Sequence, residues 1–90
     1  MSGSKKSNEV ELLARRIKLL RQKQGFTNYE HFAYDKNINR SQYGRYEAGE
    51  DLRFTSLVKL IKAFDMTASE FFSEGFDELW NETSLNEEIE

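Results

Sequence analysis

Apolar residues recur along this chain at helical spacing and nowhere alternate as they would in a half-buried strand. Val10, Leu13, Ile17 and Leu20 form one stripe. Arg15, Arg16, Lys18, Arg21 and Lys23 fill the other faces, where a solvated role is expected for all but Arg21. The pattern predicts a first helix over residues 8–24, stopped by Gly25. Thr27 and Glu30 stand at capping-box spacing, so Thr27 is expected to cap a short second helix with Phe32 and Ala33 inward. That helix ends near Lys36 and Asn37, and Asn37 suits a left-handed terminating position. After the anchor Ile38, Asn39 and Gln42 give a second capping signal. They open a third helix that carries Tyr43 and Tyr46 at i, i+3 and ends at Gly49. Phe54, Leu57, Leu60, Ile61 and Phe64 mark a fourth, amphipathic helix. Thr67 and Glu70 cap a fifth, with Phe71 and Phe72 inward and Gly75 closing it. The expectation is an all-α, compact five-helix bundle.

The punctuation also suggests boundaries. Residues 1–7, rich in Ser, Gly and Lys, read as a flexible N-terminal arm. Residues 8–75 read as the folded domain, and 76–90 as an acidic C-terminal extension, partly helical or disordered. In that extension Phe76, Leu79 and Trp80 either cover the domain's own core or form a homodimer contact. Ninety residues, 38% of them hydrophobic, fill one core.

The net charge of −3 hides a strong polarity. Residues 1–49 hold ten Lys/Arg against five Asp/Glu, a net +5. Residues 50–90 hold three against eleven, a net −8. The basic half can face a polyanion, and the acidic half would be repelled by one.

Composition removes several function classes. With no cysteine there is no disulfide scaffold, thiolate metal site or cysteine nucleophile. His31 is the one histidine and has no partner for metal binding or base catalysis. No Gly-rich phosphate loop or nucleophile–base pair is present, so no enzyme, catalytic residue, metal or cofactor is expected. No apolar run nears the roughly 20 residues of a membrane helix. No secretory leader is recognisable, so a cytoplasmic location is expected.

The second and third helices, joined through residues 34–39, form a candidate helix-turn-helix. The third offers Arg40, Ser41, Gln42 and Arg45 away from its tyrosine side. Arg pairs bidentately with guanine O6 and N7, Gln with adenine, and Ser with either. Gly44 would let the backbone approach DNA closely. Tyr46 is expected in the core, and Tyr43 half-buried with its hydroxyl near a phosphate.

Across residues 12–72 the chain resembles the lambda-repressor-like, XRE-type helix-turn-helix family. The stretches that carry the likeness are residues 16–21, 33–49, 57–64 and 69–72, in that order and spacing. The resemblance implies a five-helix bundle that binds duplex DNA with its third helix in the major groove. It implies base contacts from Arg40, Ser41, Gln42 and Arg45, and a phosphate clamp at Asn28, with Tyr29 as the second candidate. It further implies an ion pair between Arg21 and Glu47. The chain departs from the family pattern in four places. One extra residue lies between Gly25 and Ala33, and Lys36 and Asn37 stand where a leucine and a glycine are usual. Glu50 and Asp51 replace basic phosphate contacts, and Arg53 stands where a good cap is usual and can restore a phosphate contact. The reading is a sequence-specific transcriptional regulator, a repressor acting as a dimer on a palindromic operator. The alternative is a protein-interaction module on the same fold, suggested by the acidic half.

Overall fold

The structure is a computed structural model that describes residues 8–80. The arm expected over residues 1–7 and the tail beyond residue 80 lie outside the described residues. Five helices follow in order: α1 Asn8–Lys23, α2 Tyr29–Asp35, α3 Arg40–Ala48, α4 Phe54–Ala63 and α5 Ala68–Phe71. A 3-10 turn, Asp77–Trp80, completes the chain of elements, and among the described residues there is no strand.

The starts of α2, α3 and α5 follow local hydrogen bonding, with one change from expectation. Asn39 Oδ1 accepts from the Gln42 amide at 2.9 Å. Thr67 and Glu70 form the full reciprocal capping box. The second helix, however, is capped by Asn28 and not by Thr27: Asn28 Oδ1 accepts from the amides of Glu30 at 2.7 Å and His31 at 3.2 Å. Thr27 and Asn28 are both competent caps, and the chain entering α2 starts the helix one residue later.

Helix ends share a device. Gly25, Asn37, Gly49 and Asp65 all lie in the left-handed region, with φ of 93°, 60°, 104° and 62°. The residue after each donates back into the helix: Phe26 to Arg21, Ile38 to Ala33, Glu50 to Arg45 and Met66 to Ile61. In three of the four, that following residue is apolar and packs on the core: Phe26, Ile38 and Met66. The fourth is Glu50, which is exposed.

The core is a run of stacked and edge-on rings. Phe32, wholly buried, lies 5.1 Å from Tyr43 and 5.1 Å from Phe64 (ring centroids), and Phe26 meets its ring edge-on at 5.3 Å. Phe64 leads to Phe71, and Phe71 to Phe76. Leu12, Ile17, Leu20, Leu60 and Ile61 close the sides. Lys36, half-buried, lays its stem over the core with Nζ about 6 Å from the Phe26 and Phe32 rings.

Four apolar or basic assignments change. Phe54 is 76% exposed and Phe72 is 46% exposed, so neither serves as a core residue. Phe54 is the first residue of α4 and Phe72 the C-cap of α5, and the inward positions beside them are taken by half-buried Leu57 and buried Phe71. Leu12 is buried in the α1 stripe, while Val10 is only half-buried. Arg16 is buried rather than solvated: its Nε donates to Phe71 O at 2.8 Å and its Nη2 to Glu70 O at 3.0 Å. These bonds satisfy the C-terminal carbonyls of the one-turn helix α5 and pin it to α1.

The packed unit continues past Gly75. Phe76 is 6% exposed and belongs to the core, so it is not available as a contact to a second copy. Leu79 is half-buried and Trp80 is exposed.

Candidate nucleic-acid interface

Helix α3 packs against both α1 and α2, and this fixes which side of it faces solvent. Tyr43 and Tyr46 point inward. Ser41, Arg45 and Ala48, at i, i+4 and i+7, form the outward stripe, with Gln42 beside it and Arg40 at the first turn. All of these are exposed. The four expected base-reading residues are therefore all accessible, Ser41 and Arg45 on the outward stripe and Arg40 and Gln42 flanking it on opposite sides, on a helix whose inner face packs on two others.

Beneath that face lies an ion pair that bridges α1 and α3. Arg21 Nε is 2.7 Å from Glu47 Oε2, and Arg21 Nη2 is 2.7 Å from Glu47 Oε1, a bidentate fork. Arg21 Nη1 donates to the Phe26 carbonyl at 2.8 Å. The two side chains are 5% and 9% exposed. Glu47's hydrogen bonds raise the Arg21 pKa against the opposing effect of burial, so the guanidinium stays charged. One pair thus joins α1, the α1–α2 turn and α3.

Tyr43 requires a correction. Its side chain is wholly buried, so it has no surface to offer a phosphate. At i, i+3 from Tyr46 it completes the inner face of α3, and the ring contacts with Phe32 and Tyr46 hold it there. The hydroxyl lies near Glu47 and Arg21 but makes no hydrogen bond of good geometry. Burial, reinforced by Glu47, raises its pKa far above the ordinary tyrosine value.

Gly44 has a different purpose from the one its position suggested. A Cβ there would sit 3.0 Å from Cε1 of Tyr29. The missing side chain is space for the Tyr29 ring, which lies 6.3 Å from Tyr43 and is 37% exposed. Tyr29 is thereby wedged between the start of α2 and the middle of α3, with one edge open to solvent. Asn28 is exposed beside it; its oxygen is committed to the cap, and its amide nitrogen is the half that can donate outward.

At the other end of α3, Gln42, Arg45, Glu50, Asp51, Arg53 and Ser56 line one open cleft. Arg53 is the N-cap of α4 and makes no side-chain capping bond, so its guanidinium is an exposed cation. Arg45 Nε lies 2.9 Å from Glu50 Oε1. Sequence reasoning missed this contact because it requires the chain to reverse at Gly49. The left-handed glycine between them was the available signal. Sequence reasoning also missed Arg16, which looked like one more solvated base of α1.

Among the described residues no group of His, Asp and Glu can hold a metal ion, and no helix is long and apolar enough to cross a membrane. A short helix, a turn at a left-handed Asn37 and a second helix bearing an exposed Arg/Ser/Gln face, on an all-helical scaffold, define a helix-turn-helix DNA-binding protein. A helix-turn-helix family model matches residues 17–71, more than half of the chain, and the chain belongs to that family, of the XRE type. The fold is also that of a restriction–modification controller protein, C.Esp1396I, solved as a tyrosine-to-phenylalanine mutant. The two share a TM-score of 0.71 and 24% identity over 83% of this chain and 95% of that one. No curated protein sequence matches the chain.

Proposed function

We propose that this protein is a sequence-specific transcriptional regulator that lays α3 in the major groove of duplex DNA. The observation that carries the reading is the exposed face of Arg40, Ser41, Gln42 and Arg45 on a helix clamped from below by Arg21 and Glu47. In this reading Arg40 and Arg45 pair with guanines, while Gln42 and Ser41 contact neighbouring bases. Asn28, the open edge of Tyr29, and Arg53 take backbone phosphates on either side, which sets the register. Tyr43 has no part in it.

The regulator acts as a homodimer on a palindromic site with half-sites one helical turn (~34 Å) apart, and represses by occluding polymerase. Support for a dimer comes from an apolar groove lined by Leu13, Leu57, Phe72, Phe76, Leu79 and Trp80. The exposed parts of Phe72 and Trp80 make the contact in place of the buried Phe76. The likeness in fold to a controller protein supports a regulator, and the reading places it in the cytoplasm with its DNA.

The test is selection from a random duplex library with the wild type and with Arg40→Ala/Arg45→Ala. The reading expects a palindrome that is enriched by the wild type and lost with the double variant. No enrichment at low salt would sink it, and the acidic half would then direct the search to protein partners.

A further inference from the structure

The C-terminal stop of α3 differs from those of α1, α2 and α4 in one respect. At each of those three, the residue after the left-handed position is apolar and covers the core. At α3 it is Glu50, whose side chain turns outward along the helix it has just left. Its backbone amide donates to the Arg45 carbonyl at 3.0 Å, and its carboxylate lies 2.9 Å from the Arg45 guanidinium. Glu50 thus meets the same residue twice, by a backbone hydrogen bond and by an exposed ion pair. Only a left-handed residue at 49 allows this reversal, and Gly49, with φ of 104°, supplies it without strain.

We propose that Glu50 is a specificity-determining residue that withholds Arg45 from DNA phosphates while leaving it able to read a base. The inference rests on the DNA-binding reading above. The closest approach is at Nε, on the stem side of the guanidinium. The terminal amino groups are the part that forms a fork on guanine O6 and N7. The guanidinium keeps its own charge, but the pair as a whole is near neutral, so bringing it to a phosphate gains less than bringing a lone cation. The guanidinium also keeps its directional donors, so it still gains from a guanine in the right place. Binding to arbitrary sequence rests on phosphate neutralisation, whereas binding to an operator adds base contacts. Pairing Arg45 with Glu50 therefore weakens the first more than the second. Asp51, the adjacent acid, makes no ion pair among the described residues and serves as the control.

The experiment measures binding of wild type, Glu50→Gln, Arg45→Ala, Glu50→Gln/Arg45→Ala and Asp51→Asn across a salt series. The probes are a duplex carrying the selected palindrome and a shuffled duplex of the same length and composition. Glu50 is 52% exposed at its side chain and its amide bond is kept in the glutamine variant, so the fold is retained; a circular-dichroism melt verifies this. On the shuffled duplex Glu50→Gln is expected to bind about fivefold more tightly, the upper range for releasing a surface ion pair. Its log K against log salt slope should steepen by about 0.9, one added phosphate contact. Affinity for the palindrome should move by no more than about twofold. Both changes should vanish when Arg45 is alanine, and Asp51→Asn should leave the slope unaltered.

Persistence of the effect in the Arg45→Ala background would overturn the proposal in favour of plain repulsion between Glu50 and phosphate. An unchanged ratio of operator to shuffled binding would also overturn it while leaving the DNA-binding reading intact. A wild type that enriches no sequence at all would remove that reading and this inference together.

Discussion

Replacing Glu47 by alanine tests the frame on which the proposed interface depends. Glu47 supplies two acceptors to Arg21, each at 2.7 Å, in a site where the two side chains are 5% and 9% exposed. Alanine removes both and leaves the guanidinium with the Phe26 carbonyl as its remaining hydrogen bond of good geometry. An uncompensated buried charge of this kind costs about 3–5 kcal/mol. A domain of this size has about 5–15 kcal/mol in all, and each kcal/mol is about 4–8 °C of Tm. The expected fall is therefore about 12 °C or more, measured by far-ultraviolet circular dichroism and confirmed by a urea titration. A second variant separates burial from the ion pair. Arg21→Met/Glu47→Leu keeps most of the volume without charge and is expected to recover most of the lost stability, since hydrophobic replacement of buried pairs is often neutral. A loss below about 1 kcal/mol in Glu47→Ala would refute the argument, because that is what a solvated surface pair yields. A double variant as unstable as the single one would refute it too, by showing that packing and not the unpaired charge was the cause.

Other consequences follow from single contacts. Tyr43→Phe removes a buried hydroxyl with no hydrogen bond and is expected to leave stability unchanged or raise it by about 1 kcal/mol in a urea melt; an equal loss would show that the hydroxyl is bonded. The same group sets an alkaline limit. Its pKa is raised in the folded state, so its contribution is fully present below the ordinary tyrosine value of 10.0 and is lost as pH rises beyond it. The difference between wild type and Tyr43→Phe in melts run at rising pH isolates that term, and parallel curves above pH 10.0 would contradict it. Asn28→Ala deletes the α2 cap and is expected to cost about 1 kcal/mol, whereas Thr27→Ala is expected to cost little; the reverse order would return the cap to Thr27. Arg45→Ala is expected to relax preference at one base pair of the selected site by about 1–3 kcal/mol, and uniform weakening on every sequence would count against base reading.

Much of the fold is legible along the chain because its signals are local. The stops at Gly25, Asn37 and Gly49 and the caps at Asn39 and Thr67 depend on residues within one turn of each other. So do the inward faces of α2 and α3, set by helical period alone. The exposed stripe of α3 is legible for the same reason, since burying Tyr43 and Tyr46 leaves Ser41 and Arg45 outside. Where two neighbours are equally competent, local information does not choose. Thr27 and Asn28 are both good caps, and Phe71 and Phe72 are equally apolar, but only one of each pair can meet the core.

The rest depends on residues far apart in sequence. Arg16 resembles the other bases of α1 until α5, 55 positions later, presents its carbonyl ends to it. Gly44 looks like a gap for DNA until the Tyr29 ring is seen to fill it. Phe76 looks like the start of a separate tail until Phe71 receives it. Composition, period and capping chemistry by themselves determined five helices, their order and the basic face of the third. Tertiary structure alone decided which of several equivalent side chains is buried and which cation has an acid beside it. Both outcomes are contests for one space or one partner, and the winner is set by packing across the chain rather than by the residues on either side.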